Sequence, residues 1–421
     1  MQKFVVMPPP ATEIASNLEG YESKLITLLH NRGIKTAAEA DVYLNPSYDT
    51  ELHDPFLLSD MEKAVGRILT AIGKNERIII YSDYVCDGIP GAVVLHDFFT
   101  AIGFTNFFNY IPHRHFDGFG LSESAVLKLK AEQNPSLLIT IDCGTSDLAA
   151  VTLAQARGID VIVTDHHEPK ETLPTAVAVV NPKVGDTYPF TGLCGAAVIY
   201  KVVQALLARG NFGVPPGQEK WWLDMVGIAT IADMVPLTGE NRVLAHYGLA
   251  VLRKSRRPGI QQLLRQQKTN QQYLSEDDIG FTIGPRINAA SRMDTPEAAF
   301  QLLATKDEGE AGTYLKHLEK LNKERKTAVA LMTREVHSRL KAVSELPSVI
   351  VLGNPDWRPS LVGLAASKLA EEHNRPAFLW GRDGNGVLKG SCRSGGSISV
   401  VTLSLIHISE PTRLRRISYA V

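Results

Sequence analysis

Four short stretches put carboxylates and imidazoles where they could hold divalent cations. Asp83 lies in "YSDYVCDG", Asp142 in "TIDCGTS", the triplet Asp165-His166-His167 in "VTDHHEP", and Asp233 in "IADMVPL". Oxygen-rich donor sets with one or two imidazoles suit Mn2+, and Mg2+ less well, rather than a thiolate-bound metal. Two such cations, roughly 3.5–4 Å apart, can hold a phosphoryl group and generate a hydroxide nucleophile. One carboxylate usually bridges them, and Asp142, followed closely by the permissive Gly144, is the expected bridge. Each aspartate alone has a plainer explanation, since an Asp after a strand commonly caps the next helix. A lone histidine is more often a packing residue than a ligand. Four coincidences, one of them with two adjacent imidazoles beside a carboxylate, point to a common site.

Between residues 77 and 182 the apolar runs "RIIIYS", "NFFNYIP", "SLLITID", "IDVIVTD" and "AVAVVNP" alternate with helical patterns. Those patterns are "GAVVLHDFFTAIG", "SESAVLKLKAEQ" and "SDLAAVTLAQARG", with Ser122 and Ser146 as expected N-caps. Short, fully apolar strands alternating with helices predict an α/β fold built on a parallel sheet covered on both faces. Ligands of such a sheet bind beyond the carboxyl ends of its strands. Asp83, Asp142 and Asp165 fall at those ends, and the apolar helix "MVGIATIA" delivers Asp233. Further helices are expected near 195–209 and 219–232. The charged stretch "EAGTYLKHLEKLNKERKTAVALMTREVHSRLKAV" reads as one long helix with a solvated face. "SVIVLG", "GLAASKLAEEHN" and "PAFLWG" begin a second, smaller α/β unit from about residue 345.

The 421 residues carry 44 basic against 45 acidic side chains, a net charge of −1. No global basic footprint advertises nucleic acid, so any such contact must come from local patches. "RKSRRPG" at 253–259 is one, read as a solvated turn. Cys86, Cys143, Cys194 and Cys392 form no C-x-x-C pair, which favours reduced thiols over a disulfide framework or a zinc knuckle. The N-terminus lacks a signal-peptide core, and no apolar run approaches the ~20 residues of a membrane span. The expectation is a soluble, cytoplasmic protein with no membrane partner.

The motifs resemble those of the DHH phosphoesterases, specifically the RecJ-type single-stranded-DNA exonucleases, over almost the whole chain. "LLHNRGI…YLNP…LHDPFLLSDMEKAVGRI" is similar to the RecJ lead-in. "DYVCDG", "DCGTS", "TDHHEP" and "IADMVPL…ENR" are similar to its four metal motifs in order, and "GPRINAASRM" to its arginine–asparagine motif. "GLAASKL…RP" and "GSCRS" resemble the accessory domain that follows. The resemblance implies a helical lead-in over 1–70, a parallel-sheet DHH domain over 71–275 and a linking helical segment over 276–344. A partial accessory domain would fill 345–402. It implies metal ligation, by Mn2+ or Mg2+, through Asp83, Asp142, His166 and Asp233. His167 would face the scissile phosphate, with Asp165 as its orienting partner. Arg114 in "PHRHFDGFG", Arg286, Asn288, Ser391 and Arg393 match phosphate-contacting positions, as guanidinium forks and small polar donors should. The plainer reading of Arg114 and Arg286 is a surface or interdomain ion pair. The implied activity is metal-dependent 5′-to-3′ hydrolysis of single-stranded DNA, in DNA repair and recombination.

The sequence departs from that pattern in three places. The family's first metal motif reads Asp-aromatic-Asp-x-Asp-Gly, whereas here Val85 replaces the second carboxylate of Asp83-Tyr84-Val85-Cys86-Asp87-Gly88. Isopropyl cannot coordinate a cation, so a water must substitute or Asp87 must swing inward, and weakened metal occupancy with low turnover is expected. Trp357 is followed by Arg358 rather than histidine. The chain ends in "LSLIHISEPTRLRRISYAV" without the family's Gly-Gly-His segment, and residues 403–421 read as a non-native tail on a truncated gene. Two other readings stay open: a DHH phosphodiesterase acting on short oligonucleotides or cyclic dinucleotides, and a non-catalytic DHH protein that binds nucleic acid.

Overall fold

The computed structural model describes residues 7–400 except 211, 344, 385 and 396–398; the expected tail at 403–421 lies outside the described residues. All five apolar runs form strands: β1 (Ile78–Ser82), β2 (Phe107–Tyr110), β3 (Leu137–Ile141), β4 (Asp160–Thr164) and β5 (Ala178–Val180). They make one parallel sheet in the order β2-β1-β3-β4-β5. Side chains alternate between its faces, as a period of two requires. Ile78, Ile80, Ile139, Ile141 and Ile162 enter the larger core, while Ile79, Tyr81, Leu138, Val161 and Val163 enter a smaller one.

Helices α1 (Met61–Gly73) and α2 (Gly88–Ala101) contribute to the larger core. Helices α3 (Glu123–Gln133) and α4 (Leu148–Ala156) cover the opposite face. The inward stripe of α1 is Met61, Ala64, Val65, Ile68 and Ala71, the spacing of an amphipathic helix. The boundary expected at residue 70 therefore falls inside a helix that belongs to the sheet. Ahead of it, Leu18, Leu29, Ile34 and Ala40 form a small separate core. Ser122 caps α3 by accepting from the Ala125 N–H, but Ser146 does not cap α4. That N-cap position is Asp147, whose carboxylate instead accepts from the Leu121 N–H at 2.7 Å.

Two further helices, α5 (Gly195–Arg209) and α6 (Leu223–Ala232), complete the larger core. In the basic cluster at 253–259, Arg253, Lys254 and Arg256 are exposed on a turn, as expected, but the fourth basic residue is not. Arg257 is buried and pairs with Asp224 and Asp97, each at 2.7 Å. Removing one partner of such a pair costs about 3–5 kcal/mol, because the other charge stays buried.

Helix α7 (Gly284–Met293) packs on the long helix α8 (Glu308–Lys341). Beyond it, β6 (Ile350–Gly353), α9 (Pro359–His373), β7 (Ala377–Arg382) and β8 (Leu388–Arg393) form the smaller unit. Its sheet runs β6-β7-β8, with β6 and β7 parallel and β8 antiparallel. Met332 and Val336 of α8 share this unit's core with Leu361, Val362, Ala365 and Leu369 of α9. No helix among the described residues is long and apolar enough to cross a membrane.

Candidate metal centre

The sheet register builds the site. Ser82 pairs with Ile141, Ile141 with Thr164, and Thr164 with Val180, so four strands end in one row. The ladder continues one residue further: the N–H groups of Asp83, Asp142 and Asp165 donate to the carbonyls of Ile141, Thr164 and Val180. Asp83, Asp142, Asp165 and Asn181 consequently leave the sheet side by side. None of the three aspartates occupies a helix N-cap position. Asp142 has φ +62, a conformation that costs a non-glycine residue energy and tends to be kept at functional sites.

Asp87 reaches the same place from the loop after β1. Its carboxylate accepts the N–H groups of Gly195 (2.6 Å) and Ala196 (2.7 Å) at the start of α5. Helix α5 begins hard against the row: a Cβ on Gly195 would lie 2.6 Å from the Asp142 Cβ. His166 sits among the carboxylates, with Nε2 3.2 Å from Asp142 Oδ1, 3.5 Å from Asp87 Oδ2 and 3.8 Å from Asp233 Oδ2. Ligand-type atoms of Asp87, His166 and Asp233 lie within 4.8 Å of one another, and so do those of Asp142, His166 and His167.

Crowding carboxylates away from water raises their pKa values. Burial pushes Asp83 up to about 7. Asp142 lies well above the usual range through burial and the charges of Asp87 and Asp83. Asp233, at the end of α6, rises to about 6 through burial and Asp87. Two buried oxygens, Asp83 Oδ1 and Asp142 Oδ1, have no hydrogen-bond donor; the 3.2 Å approach of His166 Nε2 lacks hydrogen-bond geometry. Unpartnered buried acceptors among like charges are costly, and a divalent cation removes both costs. The residues present fit Mn2+ or Mg2+ by donor type.

Asp165 stands apart electrostatically. Burial would raise its pKa, yet it is held well below the usual carboxylate range by His167 and Thr145. His167 Nδ1 lies 2.7 Å from Asp165 Oδ1, and the N–H groups of Thr145, His166 and His167 also donate to this carboxylate. Burial would lower the His167 pKa, but Asp165 and then Asp142 push it up to about 9. Asn181, missed in the sequence, donates to Thr145 Oγ1 and the His167 carbonyl, both at 3.0 Å. Its position at the end of the fifth apolar run was the available signal.

Val85 offers no donor: it packs, partly buried, against the main core, and its carbonyl accepts the Ile89 N–H. Asp87 points inward, with Oδ2 3.5 Å from His166 Nε2, which is one of the two accommodations expected for the missing carboxylate, the other being a water. Each of its oxygens takes one N–H, and an ionised carboxylate has about four acceptor positions in all.

The expected phosphate-contacting residues divide. Arg114 lies over the Tyr84 ring at 5.0 Å and within the field of Asp83. Arg393 donates to Ser391 Oγ (2.9 Å) and to Ser367 Oγ of α9 (3.0 Å). Asn288 accepts the Cys86 N–H at 2.9 Å and so ties α7 to the loop after β1. Arg286 is turned into the packing of α7 on α8, where Glu319 (2.5 Å), Gln267 and the Thr282 carbonyl (2.7 Å) occupy its guanidinium. Arg292, not singled out in the sequence, is half-buried with Nη1 on the Ser360 carbonyl at 2.9 Å. Burial, then the charges of Arg114, Arg325 and Arg393, push its pKa down to about 10. Positive charges gathered around a half-buried arginine form a receptacle for an anion. A groove of about 160 Å³ is lined by Ala232, which precedes Asp233, and by Asn288, Arg292 and Arg325. Arg292 follows Asn288 by four residues, one helical turn along the same face, and that spacing could have revealed it.

Residues 77–230 match the DHH family, N-terminal domain. The chain is 38% identical over 371 residues to the single-stranded-DNA-specific exonuclease RecJ of Bacillus subtilis, covering 87% of this chain and 46% of that protein. It is 33% identical over 400 residues to the RecJ of Dickeya dadantii, covering 92% and 68%. RecJ from Thermus thermophilus in complex with Mn2+ superimposes with a TM-score of 0.79 at 29% identity, over 96% of this chain and 57% of that one. An exonuclease RecJ bound to manganese gives 0.71 at 32% identity, over 82% and 84%. The chain spans 46% and 65% of the length of two of the curated relatives it matches. Sequence shared at 33% identity over 68% of a relative, together with a fold that superimposes at a TM-score of 0.79, means that the chain belongs to the RecJ family.

Proposed function

We propose that this chain is a metal-dependent exonuclease that hydrolyses phosphodiester bonds of single-stranded DNA in the 5′-to-3′ direction. The observation that carries the reading is the apposition of two unlike clusters. A row of buried carboxylates with unpartnered oxygens lies within the field of Arg114, whose charge, with those of Arg325 and Arg393, also bears on Arg292. Either cluster alone is unstable, and a phosphodiester with divalent cations between them satisfies both.

In this reading Asp83, Asp142, His166 and Asp233 hold Mn2+ or Mg2+, with Asp87 as an added donor in place of the carboxylate lost at Val85. Cations bound there supply Lewis acidity and charge neutralisation at the phosphoryl group. His167, its Nδ1 held by Asp165, keeps Nε2 for a phosphoryl oxygen or the leaving group. Asp165 fixes the ring's orientation and stabilises its protonated form. Arg114, Arg292 and Arg393, with Ser391, bind phosphate oxygens, as relatives named for single-stranded DNA would require. Asn288 shapes the loop after β1, and Arg286 braces α7 against α8. The direction of digestion rests on the resemblance of the motifs.

The test is incubation of 5′-phosphorylated, labelled single-stranded DNA with Mn2+, beside a duplex and a dinucleotide. Mononucleotide release from the single strand alone is expected. Cleavage of the dinucleotide alone would replace this reading with a short-oligonucleotide phosphodiesterase. Binding without products would replace it with a non-catalytic DNA-binding protein, the reading that Val85 favours.

A further inference from the structure

We infer that His337, Glu372 and His373 form a second metal site, of the zinc class, that clamps the smaller unit to the long helix. His337 lies near the C-terminal end of α8, and Glu372 and His373 close α9. His337 Nε2 is 3.0 Å from Glu372 Oε2, and the two imidazole rings meet edge to face at 6.0 Å. One donor atom from each of the three residues lies within 4.8 Å of the other two.

An ion pair between His337 and Glu372 would explain two of these residues but not the third. His373 Nε2 is buried and has no hydrogen-bond partner, a costly state for a ring nitrogen at a helix end. A cation bound among the three turns that cost into a bond. Zinc at its usual ~2.0–2.1 Å bond lengths needs donors about 3.3 Å apart in a tetrahedron. His337 and Glu372 are 31% and 44% exposed, so their side chains are free to close the remaining distance.

Two imidazoles and one carboxylate, with the fourth position left to water, are a zinc donor set. Manganese is the weakest of the first-row ions at nitrogen donors, so this site and the oxygen-rich centre sort different metals. Position gives the clamp a consequence. Helix α9 holds the Arg292 carbonyl through Ser360 at its start and contacts Arg393 through Ser367 along its length. His373 lies about 20 Å from Ser360 at 1.5 Å per residue. A cation joining that far end to α8 would fix the helix that presents Arg393 without touching the first centre.

The experiment uses the full chain, stripped with chelator and dialysed against Zn2+, with bound zinc counted by mass spectrometry per folded molecule. Zinc at the first centre is common to all samples, so differences report the second. H337Q and E372Q should each retain about one equivalent less than the parent and lose the zinc-induced rise in melting temperature. Both should melt with the parent in EDTA, since the substituted side chains are partly exposed. With Co2+, the tetrahedral visible absorption should weaken in H337Q, while Mn2+-dependent stabilisation stays unchanged. Equal zinc content in the parent and both variants would overturn the proposal, leaving a surface ion pair beside a packed histidine.

Discussion

The loop after β4 and the loop after β1 meet at the same sheet edge but are stabilised in opposite ways. After β4, Asp165 accepts from His167 Nδ1 and three backbone N–H groups, and Asn181 holds the His167 carbonyl. That loop is complete as protein, and its carboxylate is held ionised. After β1, Asp83 is buried with one oxygen unpartnered and a pKa pushed up to about 7, beside a valine that packs into the core. That loop is finished only by something the chain does not supply. One side of the centre is preorganised by hydrogen bonds, and the other, in the proposed reading, depends on cations.

The largest expected effect comes from breaking the preorganised side. Asp165→Asn keeps the shape but removes the charge that orients and protonates His167. The exonuclease rate should fall by about 10²–10⁴-fold, the range for general acid–base residues and their partners. In the metal-free protein the His167 pKa should drop from about 9 towards its ordinary 6.5, read by NMR titration. An unchanged pKa would mean that Asp142, not Asp165, sets the charge of His167.

The cation-dependent side can be sharpened instead. Val85→Asp restores a carboxylate beside Asp83 and should raise both Mn2+ affinity and turnover, on the order of tenfold for one anionic ligand. Calorimetric Mn2+ titration with a rate assay checks this, and equal values would show that Asp87 already compensates. Asn288→Ala should have a smaller effect on the same loop. Losing the bond to the Cys86 N–H costs about 1 kcal/mol of stability in denaturant unfolding and loosens Mn2+ binding.

The smallest effect is one of pH. Asp83 and Asp233 have folded-state pKa values raised from 3.8 to about 7 and about 6. Raised carboxyl pKa values contribute stability that is full below about pH 4 and lost as pH climbs through 6 and 7. The metal-free chain should therefore lose melting temperature across that window. Mn2+, which needs the ionised carboxylates, should raise it more at about pH 7.5 than at about pH 5.5. A Mn2+ increment independent of pH would show that these carboxylates do not meet the cation.

Much of this was legible in residue order. The five apolar runs became the five strands, because fully apolar, β-branched segments bounded by turns have few alternatives to a buried parallel sheet. The strand-end aspartates followed, since strands in register end together. Less legible were residues whose role depends on distant elements. Arg257, in a run of basic residues, is buried between Asp224 and Asp97. Arg286, in a motif expected at the phosphate, is engaged by Glu319. The N-cap position of α4 is Asp147 rather than Ser146, and its carboxylate is drawn away to the Leu121 N–H.

By itself the sequence determined which residues stand at the carboxyl edge of the sheet and which chemistry their types allow, because strand period and chain direction are local properties. Only the tertiary structure decided how those residues are charged and shared. The start of α5 turns Asp87 inward, and α7 reaches back to the loop after β1 through Asn288. Arg114, Arg325 and Arg393, from a loop, a helix and a strand, bring their charges to bear on Arg292 of α7. Burial and the mutual field of groups far apart in sequence set those properties, and neither exists until the helices have packed.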